Sequence, residues 1–392
     1  MSEGALSGIK VLDFGQYIPG PFAATLLAEQ GADVIKVERP QGDPMRHEDG
    51  FMVWNRSKKA ITLDLKKPEG LKIALDLAKQ SDVIIENFKP GVMDKLGIGY
   101  EAVKAINPRL VYCSISGFGP RGTYSNLSGY DQIVSAVGSA YTEQGFPTHP
   151  LYLVLPLASL YTAVEAAFDI TAGLCVREQT GRGQKIDLSM FRTILSTFRQ
   201  FLVNFDGMFR APWGPTGPMP LYRPYQCKDG KWLFTGLGNP KFFTIFAITL
   251  GHDEWLTDPL FEGAPFLIMP PRNAQVMTML KDIYLTKTRD EWLELLSSNG
   301  LPVAPVQSVD AFMEEPQVAA NDMVKTIKQP GRGMVKEMGI PVSLADTPGK
   351  IKGPAPSPGQ NAREILKGLG YSSLDMKRLK KEQVIKLPPR RK

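Results

Sequence analysis

The amino-acid sequence predicts an α/β fold, with a large doubly wound (Rossmann-like) parallel-sheet domain and a smaller α+β domain. Between Ile9 and Gly119, short apolar runs of strand length alternate with segments of helical spacing. This alternation is typical of a parallel sheet covered by helices. After about residue 225 the order changes to strand-like runs around a DG turn, followed by separate helices, which indicates an α+β domain.

The first forty residues predict a βαβ unit. The run IKVLDF predicts a strand, a Gly/Pro turn follows, and FAATLLAEQGA has helical spacing with Gly31 as its stop. DVIKVE and AITLDL predict the next two strands. Asp64 is expected to cap the helix PEGLKIALDLAKQ, which has Pro68 near its first turn.

The same alternation continues to Gly119. DVIIENF and LVYCSISGFG predict two further strands, with the helical pieces GVMDKLG and YEAVKAI between them. Five strands with helical connections predict a doubly wound sheet.

A long apolar helix is predicted over residues 157–177, ended by Thr180 and Gly181, then a strand at QKIDLSM and a helix at FRTILSTFRQFLVNF. We expect a large domain over 1–200 and 330–392, a Pro/Gly-rich linker over 201–224 and a small domain over 225–329.

Composition excludes several classes of function. The chain has 392 residues, of which 43% are hydrophobic and 22% charged, as in ordinary globular proteins. No secretory signal or membrane span is predicted, so a cytoplasmic protein without a membrane partner is expected. The net charge of +6 is partly concentrated in the terminal run KRLKKEQVIKLPPRRK, which leaves the body nearly neutral. Nucleic acid is therefore not an expected partner.

No permanently bound cofactor or metal is expected. The turn after the first strand runs from Gly15 to Gly20 without the G-x-G-x-x-G pattern, and Pro21 blocks the close approach of a pyrophosphate. Three cysteines and three histidines are scattered, with no CxxC or CxH spacing, so neither zinc nor a disulfide framework is indicated.

Six phrases occur in one order with regular spacing: GADVIKVERPQGDPMR, NRSKKAITLDL, VIIENFKPGVMDKLGI, NPRLVYCSISGFG, GYDQIV and REQTGRGQKIDLSM. Together they resemble the class III coenzyme A transferases (CaiB/BaiF type), a family that also includes acyl-CoA racemases. The resemblance is strong from Gly8 to Phe198 and continues weakly to about residue 345.

The resemblance implies a mechanism and an assembly. In the family, an aspartate attacks an acyl-CoA thioester to form a mixed anhydride, CoA thiolate converts this to an aspartyl-CoA thioester, and an acceptor acid takes over the CoA. The substrates are thus an acyl-CoA and a small carboxylic acid. Ring-like family members thread through one another as interlocked dimers.

The resemblance also assigns CoA-binding residues by position. These are Gln16, Tyr17, Ile18 and Pro19 in the first turn, Arg39 after the second strand, Asn87 and Phe88 in the ENF phrase, and Lys95. Arg39 and Lys95 are expected near phosphates. Asp131 matches a widely shared acidic position, and both a structural and an active-site role stay open.

By the same resemblance, the position of the family's nucleophilic aspartate corresponds to Ser159, twenty-one residues before Thr180. Serine acylation would give an ordinary ester, which activates the acyl group less than an anhydride does. Glu165 lies six residues further on, about 9 Å along a helix, and faces another direction. We therefore expect that the chain has no intact catalytic residue.

Three functions are compatible with these residues. The first is the non-catalytic subunit of a heteromeric CoA-transferase whose sister subunit carries the aspartate, as suspected from the two-subunit benzylsuccinate CoA-transferases. The second is a stand-alone isomerase or lyase acting on acyl-CoA, although racemisation is disfavoured because Tyr130 replaces the racemase histidine. The third is a CoA-binding protein without catalysis.

Overall fold

The computed structural model describes residues 4–145, 149–197, 203, 205–207 and 219–388. The chain forms two compact units. One consists of Met1–Ala140, Leu153–Leu202 and Asp322–Lys392, and the other of Tyr141–Tyr152 and Val203–Asn321.

These boundaries differ from the expected ones, and the two units meet at Leu202 and Val203 without a separate linker between them. Residues 141–152 belong to the second unit, and the first unit resumes at Asp322 rather than at residue 330. The earlier resumption has a physical reason. Gln329 pairs with Gly333 in an antiparallel hairpin, and a boundary after residue 329 would separate the two strands of that hairpin. Much of the expected linker lies outside the described residues, and a strand already begins at Tyr222.

A six-stranded parallel sheet organises the first unit. Its strands are β1 (Lys10–Asp13), β2 (Asp33–Glu38), β3 (Lys59–Thr62), β4 (Val83–Glu86), β5 (Val111–Ser116) and β6 (Lys185–Ser189). They lie in the order β3-β2-β1-β4-β5-β6. The predicted strands are confirmed, and QKIDLSM forms the edge strand β6. The strand order reverses between β1 and β4, and ligands of doubly wound sheets bind at the carboxyl ends beside such a point.

The helices up to the end of the sheet are α1 (Pro19–Glu29), α2 (Gly50–Asn55), α3 (Pro68–Lys79), α4 (Val92–Lys95), α5 (Tyr100–Ile106), α6 (Asp131–Val137), α7 (Ala140–Gln144), α8 (Leu157–Thr180) and α9 (Met190–Thr197). The prediction of Asp64 as the cap of α3 is wrong, since Lys67 holds that position. Pro68 occupies the first turn, where its missing N–H costs nothing, and Asp64 instead accepts from the Lys66 N–H at 3.1 Å.

The long helix α8 ends as predicted. Gly181 caps it with a φ of 70°, a left-handed conformation that glycine adopts without steric cost. By length and composition alone α8 could cross a membrane, a test that core helices also pass. Here it packs against α1, α9, β5 and β6. The predicted continuation of α9 lies mostly outside the described residues.

The second unit contains an antiparallel sheet of β7 (Tyr222–Gln226), β8 (Trp232–Gly236) and β9 (Val303–Val306). The DG turn joins β7 and β8 as predicted, and Gly230 takes a φ of 74°. Its helices are α10 (Pro240–Leu250), α11 (Arg272–Tyr284), α12 (Arg289–Ser298), α13 (Val309–Met313) and α14 (Pro316–Ala320). The chain then returns to the first unit with β10 (Val324–Gln329), β11 (Gly333–Met338), α15 (Ala362–Gly368) and α16 (Ser373–Lys381).

Candidate functional site

A cavity of about 620 Å³ lies at the carboxyl ends of β1, β4 and β5, beside the point where the strand order reverses. Most of the site residues assigned from the sequence line it: Gln16, Tyr17, Ile18, Pro19, Asn87, Phe88, Asp131 and Ser159. Parallel strands bring these residues together because their carboxyl ends share one edge of the sheet. All of the lining belongs to the first unit.

Two assigned residues do not line the cavity. Arg39 is exposed, and its Nε donates to the Gly42 carbonyl at 3.0 Å. Lys95 is exposed in the last turn of α4. Neither position is buried, so both side chains are accessible to a ligand that extends beyond the cavity.

A buried ion network supports the turn after β1. Its members are Asp13, Lys36, Asp43 and Lys58, whose side chains are at most 1% exposed. Lys58 Nζ lies 2.7 Å from Asp13 Oδ2, and Lys36 Nζ lies 2.9 Å from Asp43 Oδ2. Two positive and two negative charges therefore compensate each other away from water, as buried charges require.

The network also shifts the pKa values of its members. Burial lowers the pKa of Lys58 to about 8 against the attraction of Asp13. Burial by itself would raise the pKa of Asp13, but the charges of Lys58 and Lys36 hold it below its usual value. Asp13 is therefore ionised at neutral pH and available as an acceptor for the turn.

This network fixes the backbone at Gly15. Lys36 Nζ donates to the Gly15 carbonyl at 2.9 Å, and the Gly15 N–H donates to Asp13 Oδ1 at 2.8 Å. One residue later, the Asn87 amide pairs with both backbone groups of Gln16, accepting at 2.7 Å and donating at 2.8 Å. The ends of β1 and β4 are thereby joined beneath the cavity.

Tyr17 follows in a strained conformation. Its φ is 59°, in the left-handed region, which costs a residue with a side chain about 1–2 kcal/mol. Its ring meets that of Tyr130 edge to face, with 5.9 Å between centroids. Both rings line the cavity and are partly exposed.

Glu86 lies behind the turn that carries Asn87 and Phe88. Its carboxylate accepts from the Phe88 N–H at 2.9 Å and from the hydroxyl of Ser114 on β5. Burial raises the pKa of Glu86 to about 7, although these hydrogen bonds and the charge of Lys185 oppose the shift. Glu86 is thus a buried acid that titrates near neutral pH directly beneath the cavity lining.

At the other end of the cavity, Asp131 holds the start of α8. Its Oδ2 accepts from the Ser159 N–H at 2.6 Å, and its Oδ1 accepts from the Ser135 hydroxyl at 3.2 Å. Pro156, the residue before the helix, makes no side-chain capping bond. Asp131 therefore supplies a cap from a distant part of the sequence, satisfying one N–H of the first turn.

Ser159 lies in the first turn of α8, is 4% exposed and lines the cavity. Glu165 is not part of the cavity lining. Asp131 has both carboxylate oxygens engaged in hydrogen bonds. The cavity lining therefore carries a neutral hydroxyl at Ser159.

Sequence reasoning missed the supporting charges. Asp13, Lys36 and Glu86 each interrupt an apolar strand run, and this interruption is the signal that could have identified them as buried, partnered groups. Their partners could not be read from the sequence. In the part of the chain that the structure describes, no group of three His, Cys, Asp or Glu side chains could hold a metal ion.

Comparisons with known proteins identify the family of the chain. The model of CoA-transferase family III matches residues 6–362. An acyl-CoA transferase of Fusarium pseudograminearum is 32% identical over 98% of this chain and 89% of its own length. A CAIB/BAIF family protein from Brucella suis has a crystal structure that matches with a TM-score of 0.82 and 30% identity, over 94% of this chain and all of that one.

Two relatives from Chloroflexus aurantiacus are named as subunits of one enzyme. The alpha and beta subunits of succinyl-CoA–L-malate CoA-transferase are each 31% identical over 97% of this chain, and the match covers 92% and 98% of their own lengths. The family model alone covers most of the sequence. The chain belongs to CoA-transferase family III.

Proposed function

We propose that this chain is the subunit of a heteromeric class III CoA-transferase that lacks the catalytic carboxylate and works with a homologous subunit that has it. The observation that carries the proposal is Ser159, which lies buried at the cavity-lining start of α8. By the family resemblance, this is the position where we expect the catalytic aspartate. The resulting complex would move CoA from an acyl-CoA donor to a carboxylic acid.

The chemistry explains why serine is an inadequate replacement. A carboxylate that attacks a thioester forms an anhydride and releases CoA thiolate, which can then attack the activated enzyme carbonyl. A serine would keep the acyl group as an ester and would provide no enzyme carboxyl group to carry CoA. The sister subunit would therefore supply the aspartate.

The cavity supports retained binding of CoA. Gln16, Tyr17, Ile18, Pro19, Asn87 and Phe88 all line it, and buried charges hold their loops. We infer that Arg39 and Lys95, exposed outside the cavity, meet the phosphates of CoA. No permanently bound cofactor is part of this function.

Exposed apolar side chains support a partner subunit. Val154 and Leu155, just before α8, are 78% and 66% exposed, and Phe168 on α8 is 69% exposed. Burying such surface against a homologous chain would be favourable. Relatives that occur as alpha and beta subunits show that the family uses two-subunit enzymes, and an interlocked pair of the benzylsuccinate type is the arrangement we propose.

Native mass spectrometry of the protein, purified by a mild tag from its source, tests the assembly. We expect a complex with a second chain of similar mass whose sequence has aspartate at the position of Ser159. A homodimer that transfers CoA at a rate normal for the family would contradict the proposal.

A gain-of-function variant tests the chemistry in this chain. Ser159→Asp should acquire a covalent CoA adduct when incubated with succinyl-CoA, detected as an increase in intact mass. Ser159→Asn, of nearly the same shape but without a nucleophilic carboxylate, is the matched control and should stay unmodified, like the wild type. An adduct on the wild type would show that another residue is the nucleophile.

A further inference from the structure

A loop over residues 118–128 leaves the end of β5 and returns to the start of α6 at a point where two glycines touch. A Cβ atom on Gly117 would lie 2.3 Å from the Cα of Gly129, and a Cβ on Gly129 would lie 2.2 Å from the Cα of Gly117. Carbon atoms in ordinary van der Waals contact are about 3.5–4 Å apart. The two backbones therefore cross at a distance that only residues without a side chain allow, and we call this contact the glycine crossing.

Space, and not backbone conformation, explains these two glycines. Neither Gly117 nor Gly129 has a positive φ, so a residue with a side chain could adopt either conformation. Gly119 and Gly122, inside the loop, show the opposite. Their φ values are 92° and 94°, and the nearest atoms that a Cβ on Gly119 would meet belong to the Ser189 side chain, 3.9 Å away. The need for close approach is thus confined to the base of the loop.

The glycine crossing joins elements that line the cavity. Gly117 and Gly129 are themselves part of the lining. The Gly117 carbonyl accepts from the Phe191 N–H of α9 at 2.8 Å. Tyr130, the residue after Gly129, accepts with its carbonyl from the Val134 N–H at 3.0 Å as α6 begins. The end of β5, the start of α6 and the start of α9 are therefore held together at this contact.

One residue separates the glycine crossing from the carboxylate that caps α8. Asp131 follows Tyr130, and its Oδ2 accepts from the Ser159 N–H at 2.6 Å. A Cβ atom at the crossing would have to move back by about 1 Å to reach an ordinary contact distance. A displacement of that size at Asp131 would lengthen its bond to the Ser159 N–H to about 3.6 Å, which is no longer a hydrogen bond.

We propose that Gly117 and Gly129 are positioning residues, whose contact holds Asp131 against the first turn of α8. The glycine crossing thereby determines where the backbone of Ser159 lies in the cavity. The role of Ser159 as the reactive position rests on the proposed function, whereas the contacts that place it belong to this chain alone.

Thermal unfolding of single and double variants tests the positioning. Asp131→Ala should lower Tm by about 2–4 °C in the wild-type background, through loss of the cap. In the Gly129→Ala background it should lower Tm by less than about 1 °C, because the carboxylate no longer reaches the Ser159 N–H. Gly368→Ala in α15 is the matched control, since a Cβ there meets no atom within 4 Å outside its own helix. Beside it, Asp131→Ala should keep its full effect.

Equal effects of Asp131→Ala in all three backgrounds would overturn the proposal, because Asp131 would then keep its place without the glycine crossing. Gly117→Ala enters the same contact from the other side and should abolish the effect as Gly129→Ala does. If neither of these two variants folds while Gly368→Ala does, the crossing is a requirement of the whole fold, and the positioning role is overturned.

A chemical measurement separates positioning from stability. In the Ser159→Asp background, Gly129→Ala should slow formation of the covalent CoA adduct from succinyl-CoA about a hundredfold, the effect of misplacing a reacting group by about 1 Å. Free CoA should keep its Kd within about twofold by calorimetric titration, because the turns after β1 and β4 are unchanged. An unchanged rate of adduct formation would overturn the positioning role. Absence of an adduct on Ser159→Asp alone would contradict the proposed function, and the unfolding comparison would still decide the role of the glycines.

Discussion

The two ends of the cavity are built in different ways. At the turn after β1, four buried charges, an asparagine bridge and a strained tyrosine hold the loop assigned to CoA. At the start of α8, Ser159 is neutral, and its N–H donates to the side chain of Asp131. The proposed function depends on this difference: a binding framework needs many coupled contacts, whereas the proposed covalent chemistry needs one carboxylate, so one substitution would remove the chemistry and leave binding.

The largest expected effect comes from removing a charge at the framework end. Lys58→Met should lower the free energy of unfolding by about 3–5 kcal/mol, because it leaves one buried positive charge, Lys36, against the two buried carboxylates of Asp13 and Asp43. The Pro21 and Trp54 carbonyls, which accept from Lys58 Nζ at 2.7 and 3.0 Å, would each lose one hydrogen bond. Trp54 would keep the one that it accepts from the Thr25 hydroxyl. Urea unfolding measures the change.

The next residue provides a matched control. Lys59 has a 38% exposed side chain that pairs with Asp33 and Glu364 at the surface. Lys59→Met should change the free energy of unfolding by at most about 1 kcal/mol. Equal losses in the two variants would show that the buried network is not what holds this end of the cavity.

Glu86 should make stability depend on pH. Its pKa rises from 4.5 to about 7 on folding, so the folded protein binds the proton more tightly than the unfolded chain does. Its favourable contribution is therefore present below about pH 4.5 and is lost as the pH rises through 7. At about 1.4 kcal/mol per pKa unit, the loss is about 3 kcal/mol.

Glu86→Gln tests this dependence because glutamine mimics the neutral acid and does not titrate. The difference in free energy of unfolding between variant and wild type should shift by up to about 3 kcal/mol in the variant's favour between pH 4 and pH 8. Because the two proteins are compared at the same pH, the contributions of the other titrating groups to the free energy of unfolding cancel in the difference. A difference that stays constant with pH would contradict the assignment.

The smallest effect is expected at the Ser159 end. Asp131→Ala removes the acceptor for the Ser159 N–H and should cost about 1–2 kcal/mol, the usual value of a helix cap. Asp131→Asn keeps an oxygen for the same N–H and should recover most of that loss. If Asn destabilises as much as Ala does, the carboxylate charge and not the hydrogen bond holds α8. Thermal unfolding of both variants distinguishes these cases.

Much of the fold could be predicted from local patterns. Apolar runs such as DVIKVE and DVIIENF are strands because they are buried in a parallel sheet, and α8 ends at Thr180 because Gly181 adopts a left-handed conformation. The prediction of Asp64 as a cap was wrong because the position of Pro68 decided where the helix begins. The first unit resumes at Asp322 and not at the expected residue 330, because strand pairing extends across residue 330 and leaves no local signal.

The sequence by itself determined the family and the order of the elements, since these depend on residue identity and spacing along the chain. Only the tertiary structure decided that Asp13 pairs with Lys58, that Asp131 caps the helix of Ser159 and that Tyr17 packs on Tyr130. These pairs are far apart in the chain. Burial and the convergence of strand ends, rather than any local propensity, bring them together.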